Sequence, residues 1–411
     1  MTMFGIATPV LIGFVALAVE TGTWYQSKRE LQTAADAAAI SGAFQRARND
    51  VSGINGAATK EAVRNGFVNA TPNVLTIHYP PTTGINSGEA DAVEVILARP
   101  QNLLLSSLFK SSPFTVSVRA VAAVQTTGTA CILALDPTAS AAVKNQGNTD
   151  VVALGCTIAA NSNSATAITI TGSGQMAADS LWTVGGYSVG GSGTLTLTHP
   201  PFTNAWALDD PYEHLTIPSL GPCTQTNYSA NNAQTISPGV YCGGMDFGSQ
   251  ADVILEPGTY YIDGGNFTAN AQSRLRCSCP NAGDGVTFVL TSTATPPAIG
   301  TVTINGGADI DLTAPTLSSY DYPMVMFYQD PRAEPGPVNK LNGGSSMFLT
   351  GAVYFPKQAV EFTGDNTLNA TECTQIVAKT ITFIGNSKIN DSGCQNFGLQ
   401  PIRIKGVRIV E

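Results

Sequence analysis

The chain has 411 residues, which is long enough for two or more domains. Charged residues make up only 12% of it, about half the usual share, while hydrophobic residues make up 43%. This composition excludes an intrinsically disordered chain, because enough apolar surface is present to form a core. The net charge of −9, with no long basic run, argues against a nucleic-acid partner, which would require clustered Lys and Arg.

The N-terminal segment MTMFGIATPVLIGFVALAV contains no charged side chain. As a helix it would span about 29 Å, enough for the hydrocarbon core of a bilayer. Glu20 ends the apolar run, and Trp24 and Tyr25 follow at the depth of a membrane interface. We therefore predict a transmembrane helix over residues 1–23. A cleaved signal peptide and a buried core helix are the alternatives.

The orientation of this segment poses a conflict. Lys28 and Arg29 follow the apolar run, and the positive-inside rule would place that side in the cytoplasm. The cysteines described below predict an oxidising compartment for the same side. A short basic stretch ahead of Met1 would resolve the conflict, and an upstream in-frame start codon would support this hypothesis.

Helix-forming residues continue in YQSKRELQTAADAAAISGAFQRAR, where Leu31 and four alanines fall on one face at helical spacing. Asn49, Asp50 and Gly53 predict the end of this helix. A second helix is predicted in GAATKEAVRNGFVNA and a short one in QNLLLSSLFK. Strands are predicted at residues 74–78, 92–98 and 115–124. Together these elements predict a pilin-like α+β domain over residues 24–127.

The stretch TPVLIGFVALAVETGTWYQSKRELQTAADAAAISGA resembles the N-terminal region of the TadG-like proteins of bacterial Tad/Flp pilus assembly. The matching positions are Glu20, the pairs Trp24-Tyr25, Lys28-Arg29 and Leu31-Gln32, and the alanine-rich residues 34–39 with Asp36. The pattern through VEVILARPQNLLLSSLF and VSVRAVA is also similar to that family. The resemblance implies a single-pass envelope protein tied to pilus assembly or adhesion, and it implies no reaction. The sequence departs from the pattern in lacking a basic N-terminal stub and a prepilin-type cleavage site.

After residue 127 the composition changes to Gly, Thr, Ser, Asn and Val, and a repeat begins. PGVYCGG at 238–244 returns within PGTYYIDGG at 257–265, and GDNTLNATEC at 364–373 returns as GNSKINDSGC at 385–394. Short β segments that recur every ~20 residues between Gly, Asn and Pro turns, without a helical pattern, indicate a β-solenoid. We predict a right-handed parallel β-helix over residues 128–411.

All eight cysteines lie in this second part: Cys131, Cys156, Cys223, Cys242, Cys277, Cys279, Cys373 and Cys394. Their even number and the scarcity of His favour disulfides over zinc, with reduced core cysteines as the alternative. Neighbouring coils lie about 4.8 Å apart, and a disulfide needs Cα atoms about 4.4–6.8 Å apart. Cysteines one coil apart are therefore expected to bridge, which predicts the pairs 131–156, 223–242 and 373–394. For the C-x-C at 277–279 we favour a turn disulfide over a fragment of a metal site.

Two segments rich in Pro and aromatic residues interrupt the repeat, at 196–222 and 328–341. Loops that leave a rigid scaffold commonly carry binding functions. The first contains the densest acidic group of the chain, Asp209-Asp210 with Glu213 and His214. A capped, solvated loop is the preferred interpretation of this group, with a catalytic carboxylate pair as the alternative.

Other chemical signals are weak. Arg403-Ile404-Lys405 resembles the RIK triplet of polygalacturonases, but the accompanying His and Asp motifs are missing, so a basic strand end is preferred. His78 and His199 are isolated and are interpreted as structural. The glycines of GGYSVGGSG at 185–193 fit turns better than a phosphate-binding loop, because no helix pattern follows. The sequence therefore predicts no catalytic residue, no metal site and no cofactor.

The preferred function is that of a non-enzymatic, membrane-anchored envelope protein in Tad/Flp pilus assembly or surface attachment. A glycan-binding surface adhesin is the first alternative, and a polysaccharide-acting enzyme is the second. The expected location is the bacterial inner membrane, with the C-terminal domain periplasmic or extracellular. Expected partners are the inner membrane, other pilus-assembly proteins or cell-surface glycans.

Overall fold

The chain folds into two units, and their main boundary in the sequence lies where the composition changes. The computed structural model describes residues 2–103, 105–108, 112–343, 347–364, 374–385, 388–390 and 402–411. One unit comprises Met1–Thr127 together with Lys405–Glu411, and the other comprises Gly128–Ile404. The sequence pattern assigns residues 405–411 to the second domain, whereas the structure places them in the first unit. The reason is that the last residue returns to strand β3 (Phe114–Ala134), where the backbone N–H of Val121 donates to the carbonyl oxygen of Glu411.

The first unit packs two helices against an antiparallel sheet. Its elements are α1 (Thr2–Ala47), α2 (Ile54–Arg64), β1 (Val74–His78), β2 (Ala92–Gln101), a 3₁₀ helix (Leu105–Leu108), β3 (Phe114–Ala134) and, at the C-terminus, β27 (Ile402–Ile409). Strand β2 pairs with both β1 and β3. Each predicted helix and strand of this unit is present, and the short predicted helix is a single 3₁₀ turn.

The alanine face of α1 explains how closely the helix approaches the sheet. Ala35, Ala38 and Ala39 are fully buried. At Gly42 an added Cβ would lie 2.9 Å from Cγ1 of Val93, which is closer than carbon atoms normally approach. Small residues on this face therefore let the helix backbone approach β2.

Within the segment predicted to be a transmembrane helix over residues 1–23, the described residues 2–23 form the beginning of α1. Within the described residues, no helix combines the length and the apolar character that a membrane span requires. The predicted transmembrane helix is therefore not confirmed.

The second unit consists of short strands. Besides the end of β3 and the start of β27 they are β4 (Val143–Gly147), β5 (Asp150–Ala153), β6 (Thr157–Ala160), β7 (Ile168–Gly172), β8 (Gln175–Ala178), β9 (Leu181–Thr183), β10 (Tyr187–Val189), β11 (Thr194–Leu197), β12 (Gln225–Ala230), β13 (Ala233–Ile236), β14 (Gly239–Phe247), β15 (Asp252–Leu255), β16 (Gly258–Asp263), β17 (Gly265–Ala269), β18 (Arg274–Cys277), β19 (Val286–Thr291), β20 (Ile299–Ile304), β21 (Asp309–Thr313), β22 (Val325–Gln329), β23 (Val338–Gly343), β24 (Met347–Gly364), β25 (Thr374–Gly385) and β26 (Lys388–Asn390).

These strands pair in parallel and form three ladders. Ladder 1 runs β12-β14-β16-β19-β22-β24-β25-β3-β6-β9. Ladder 2 runs from the end of β12 through β14, β17, β20, β23, β24, β25, β4 and β7 to β10. Ladder 3 is described in two parts, β13-β15-β18-β21-β24 and β26-β5-β8-β11. The structure thus confirms a largely β unit of parallel strands, while a right-handed β-helical path stays a prediction.

Rows of inward-facing side chains form the core of this unit. Tyr260, Phe288 and Phe327 are buried in successive strands of ladder 1, and their neighbouring ring centroids are 5.4 Å apart. Phe362 and Phe383 stack in the same way in ladder 2, also at 5.4 Å. Each strand is too short to bury its apolar residues alone, so neighbouring strands must cover them.

The repeated Pro-Gly turns stack on one another. At Gly258 an added Cβ would lie 2.7 Å from Cγ of Pro238, the proline of the preceding turn. Gly258 also has a φ of +141°, which disfavours any residue with a side chain. The repeated glycine is therefore required by the close approach of two successive turns.

The strands do not stack in chain order. Strand β25, near the C-terminus, pairs with β3 and β4, which belong to the beginning of the unit. The strands up to β11 therefore extend the ladders beyond β25, and β12 begins them at the opposite end. Nothing in the repeat spacing predicts this order, because every repeat has a similar pattern.

An engineered cross-link tests this strand order. Thr382 of β25 and Lys144 of β4 are register partners, and both side chains are partly exposed. We expect the Lys144→Cys/Thr382→Cys variant to form an additional disulfide under mild oxidation, detected by peptide mapping with mass spectrometry. A Lys144→Cys/Thr303→Cys control should not form one, because Thr303 lies four strands away in the same ladder. Absence of the 144–382 bond would contradict the order.

A buried carboxylate organises the first unit. The side chain of Glu94 is fully buried, and its oxygens lie 2.5 Å from Nε of Arg119 and 2.8 Å from Nδ1 of His78. Burial alone would raise the pKa of Glu94, but hydrogen bonds from Arg119, the Thr82 backbone, His78 and Thr83 outweigh it and lower the pKa to about 2. His78 therefore contacts Glu94, which agrees with its interpretation as a structural residue.

The lowered pKa of Glu94 predicts a loss of stability in acid. The unfolded carboxyl group takes up a proton near its ordinary pKa of 4.5, whereas the folded group resists protonation down to about 2. The stabilisation is therefore complete above about pH 5 and is lost as the pH falls towards 2. Urea unfolding between pH 7 and pH 3 should show a shallower pH dependence in Glu94→Gln than in the wild type. Equal slopes would contradict the assignment.

Candidate functional site

The connection between β11 and β12, residues 198–224, crosses the outer face of ladder 1, and we call it the strap. It contains the acidic group singled out in the sequence. Along its length it hydrogen bonds to successive strands of ladder 1 or to residues that flank them. These contacts are Phe202 with β9, Trp206 with Trp182, Leu208 with Asn161, Tyr212 with Gln375, Asp210 with Tyr354, Leu215 with Tyr328, and Thr216 with Tyr322. The strap therefore returns the chain from one end of the ladder to the other.

Aromatic packing holds the strap in place. Leu208 and Tyr212 are buried against ladder 1. The ring of Tyr212 meets that of Tyr354 edge-on at 5.4 Å, and Tyr354 stacks on Tyr328 at 5.1 Å. Burial raises the pKa of Tyr328 to about 12, so its hydroxyl stays protonated and donates to the strap carbonyl of Leu215. The strap thus covers the outward-facing row of tyrosines.

A groove of about 510 Å³ lies beside the strap. One wall is formed by the strap, and the other by the loop between β22 and β23, which belongs to the second predicted interruption. That interruption was predicted over 328–341, but the structure shortens it, because β22 continues to Gln329 and β23 begins at Val338. The groove is lined by Leu135, Asp136, Pro137, Asn161, Leu208, Asp210, Glu213, Pro331, Pro335, Tyr354, Pro356, Lys357 and Lys379.

The charges in the groove are nearly balanced. Asp136 lies 3.8 Å from Nζ of Lys379, and one of its oxygens also accepts backbone N–H groups of the turn that follows. Glu213 and Lys357 are exposed and form no hydrogen bond or ion pair with any residue that the structure describes. These two groups are the ones available to a ligand.

The carboxylate of Asp210 is fixed by hydrogen bonds within the protein. Its Oδ2 accepts the hydroxyl of Tyr354 at 2.8 Å, and its Oδ1 accepts the backbone N–H of Tyr212 at 3.0 Å. Burial raises the pKa of Asp210 above its usual range, and the nearby Glu213 adds to that shift. Two residues of the acidic group, Asp210 and Glu213, line the groove. The other two, Asp209 and His214, are exposed and do not line it.

The six described cysteines of the second unit lie in three pairs. The structure joins Cys131 to Cys156, Cys223 to Cys242 and Cys277 to Cys279, with Cα separations of 5.8, 5.7 and 5.3 Å. The pair predicted between Cys373 and Cys394 lies outside the described residues. The first two bridges each join neighbouring strands of ladder 1, because β3 pairs with β6 and the residues beside Cys223 pair with β14.

The other residues noted in the sequence occupy the following positions in the structure. Arg403, Ile404 and Lys405 lie in β27. The Nδ1 atom of His199 is 2.9 Å from Oδ1 of Asp179. Over the described part of the chain, His, Cys, Asp and Glu residues do not gather in any group of three that could hold a metal ion.

Residues 1–47 match the family described as putative Flp pilus-assembly TadE/G-like. The match covers the helix α1 and confirms the resemblance seen in the sequence; the largely β second unit is consistent with it. No curated protein and no solved structure shows a significant match to the chain. The matched family indicates a pilus-related, envelope-associated role.

The strap predicts a local stability effect at Asn161. Its side chain donates to the carbonyl oxygen of Leu208 at 2.9 Å and accepts the Leu208 N–H at 2.8 Å. We expect Asn161→Ala to lower the free energy of unfolding by about 1–3 kcal/mol, because both strap groups lose their partner. It should also speed proteolysis within the strap. Asn163→Ala, at an exposed neighbouring position, should change the free energy by less than about 0.5 kcal/mol. Equal effects of the two substitutions would contradict the role of Asn161.

Proposed function

We propose that this chain is a non-enzymatic protein of the bacterial cell envelope that takes part in Flp pilus assembly or pilus-dependent attachment. The observation that carries the proposal is the match of residues 1–47 to the TadE/G-like family. In this proposal the first unit interacts with other pilus-assembly components, and the second unit faces the periplasm or the cell exterior.

The disulfides support the location of the second unit. Three bridges lie within the described residues of that unit. Disulfides of this kind persist in the periplasm or outside the cell and are rare in the cytoplasm. The first unit contains no cysteine.

The N-terminal region offers one contact on which the proposal can be tested. The side chain of Glu20 is buried, and its carboxylate accepts the backbone N–H of Ser106 at 3.0 Å and its hydroxyl at 2.5 Å. This carboxylate therefore ties the matched helix to the 3₁₀ turn. Glu30 on the same helix is exposed and serves as the matched control.

Complementation of a deletion strain tests the proposal. We expect the wild-type chain and Glu30→Ala to restore pilus production, counted by electron microscopy and by immunoblots of sheared pili. Glu20→Ala should restore it only weakly at equal protein level, because the helix loses its tie to the 3₁₀ turn. Normal piliation and surface attachment of the deletion strain would contradict the proposed role.

A glycan-binding surface protein is a second candidate, and the groove beside the strap favours it. Glu213 and Lys357 provide an acceptor and a donor without partners among the described residues, and four prolines give the groove rigid apolar walls. Sugar hydroxyls donate and accept hydrogen bonds equally well. The enzyme alternative needs a free carboxylate pair, whereas Asp136 and Asp210 are engaged by their own chain.

A glycan array tests this second candidate. The wild-type chain should bind a defined set of oligosaccharides, and Glu213→Gln/Lys357→Gln should lose that binding by about tenfold or more. The control Glu256→Gln changes a carboxylate outside the groove and should bind as the wild type does. Absence of any bound glycan would exclude this candidate.

A further inference from the structure

The ladders of the second unit have two ends, and each end leaves strands without a further partner among the described residues. At one end these strands are β12 and β13, which we call the first end. At the other they are β10 and β11, which we call the second end. Strand β9 is different, because Trp182 forms a bridge with Phe202 of the strap, which covers that edge.

The second end leaves core positions open. Tyr187 and Val189 are register partners of Ile168 and Ile170, both fully buried in β7. Tyr187 is nevertheless 37% exposed and Val189 42% exposed. In ladder 3, Leu195 pairs with the buried Met176 but is itself only partly buried. The rows of inward-facing side chains therefore continue to the second end. Among the described residues, nothing stacks on them there.

Neither end carries, within its strands, the charged residues or prolines that commonly guard an exposed sheet edge. The four terminal strands read YSV, TLTL, QTNYSA and AQTI, so none contains a charged residue or a proline. In β12 the buried hydroxyl of Tyr228 also has no hydrogen-bond partner among the described residues.

The two ends are complementary in direction and order. Every described pairing within the three ladders is parallel, so the strands at both ends run in the same direction. The first end exposes one edge of these strands, and the second end exposes the opposite edge. Along the chain, ladder 2 precedes ladder 3 at both ends, as β10 then β11 and as β12 then β13. The chain enters this unit at Gly128 and leaves it at Ile404, and neither residue belongs to a terminal strand.

We propose that the second units of two copies of this chain associate head to tail, with β10 and β11 of one copy pairing in parallel with β12 and β13 of the next. The contact covers Tyr187, Val189 and Leu195 and continues two of the three ladders across the interface. Because it joins two different surfaces and continues the ladders along their own stacking direction, it produces open chains of copies. This inference goes beyond the proposed function and does not depend on it.

Variants that block one end at a time test the interface. Val189→Lys places a charge in the inward row of the second end. Gln234→Lys does the same at the first end, where Gln234 is partly exposed and pairs with the buried Val253. Each charge would be buried without a partner in the interface, while it stays near solvent in the single copy. Ile254→Lys is the control, because Ile254 is 42% exposed on an outward position of an inner strand.

Sedimentation velocity of the full-length chain should show species that grow with concentration for the wild type and for Ile254→Lys. Val189→Lys and Gln234→Lys should each weaken self-association by about tenfold or more. An equimolar mixture of these two variants should form a one-to-one dimer and nothing larger, because each supplies one intact end. Tyr187→Lys provides a second variant of the second end, and circular dichroism checks that each variant is folded.

A wild-type chain that stays monomeric at all concentrations would overturn the proposal. So would a mixture of the two blocked variants that forms no dimer, or a control that weakens association as much as they do. Association through the apolar N-terminal residues would be unaffected by either end variant, and that result would also overturn it.

Discussion

The structure of the second unit depends on stacking between neighbouring parallel strands. Most of its strands are only three to six residues long, and an isolated strand of that length cannot bury its apolar side chains. Burial comes from the strands above and below, as in the row formed by Tyr260, Phe288 and Phe327. The same constraint requires glycine where two turns approach each other, as at Gly258. It also leaves apolar side chains partly exposed at the second end of the ladders, as at Tyr187 and Val189.

The strap follows from the order in which the strands stack. The chain builds the ladders outward from β3 to β11, and it must then return to the opposite end before β12 can begin. Nine strand spacings of ladder 1 amount to about 43 Å, and the strap is long enough to cover that distance. Its return path places it over a row of tyrosines, whose hydroxyls donate to its backbone carbonyls and to the carboxylate of Asp210. The groove exists because the strap and the loop after β22 stand side by side on this face.

The two units contribute different evidence about function. The first unit contains the segment that matches the TadE/G-like family, with the buried Glu20 fixed to the 3₁₀ turn. The second unit contributes a rigid scaffold stabilised by disulfides, a groove with balanced charge and uncharged ladder ends. In the proposed function, the first unit supplies the assembly region and the second unit supplies the outward-facing surface.

The sequence by itself determined the helix over the family match, the strands of the first unit, the boundary near residue 127 and a repeating β architecture. These features depend on local periodicity, turn residues and composition, which a linear pattern records. Only the tertiary structure decided that β25 stacks on β3, that Asp210 serves its own strap rather than a ligand, and that residues 405–411 join the first unit. Such pairings depend on contacts between residues hundreds of positions apart. Repeats of similar pattern can stack in more than one order, so the order is decided only when the whole core is assembled.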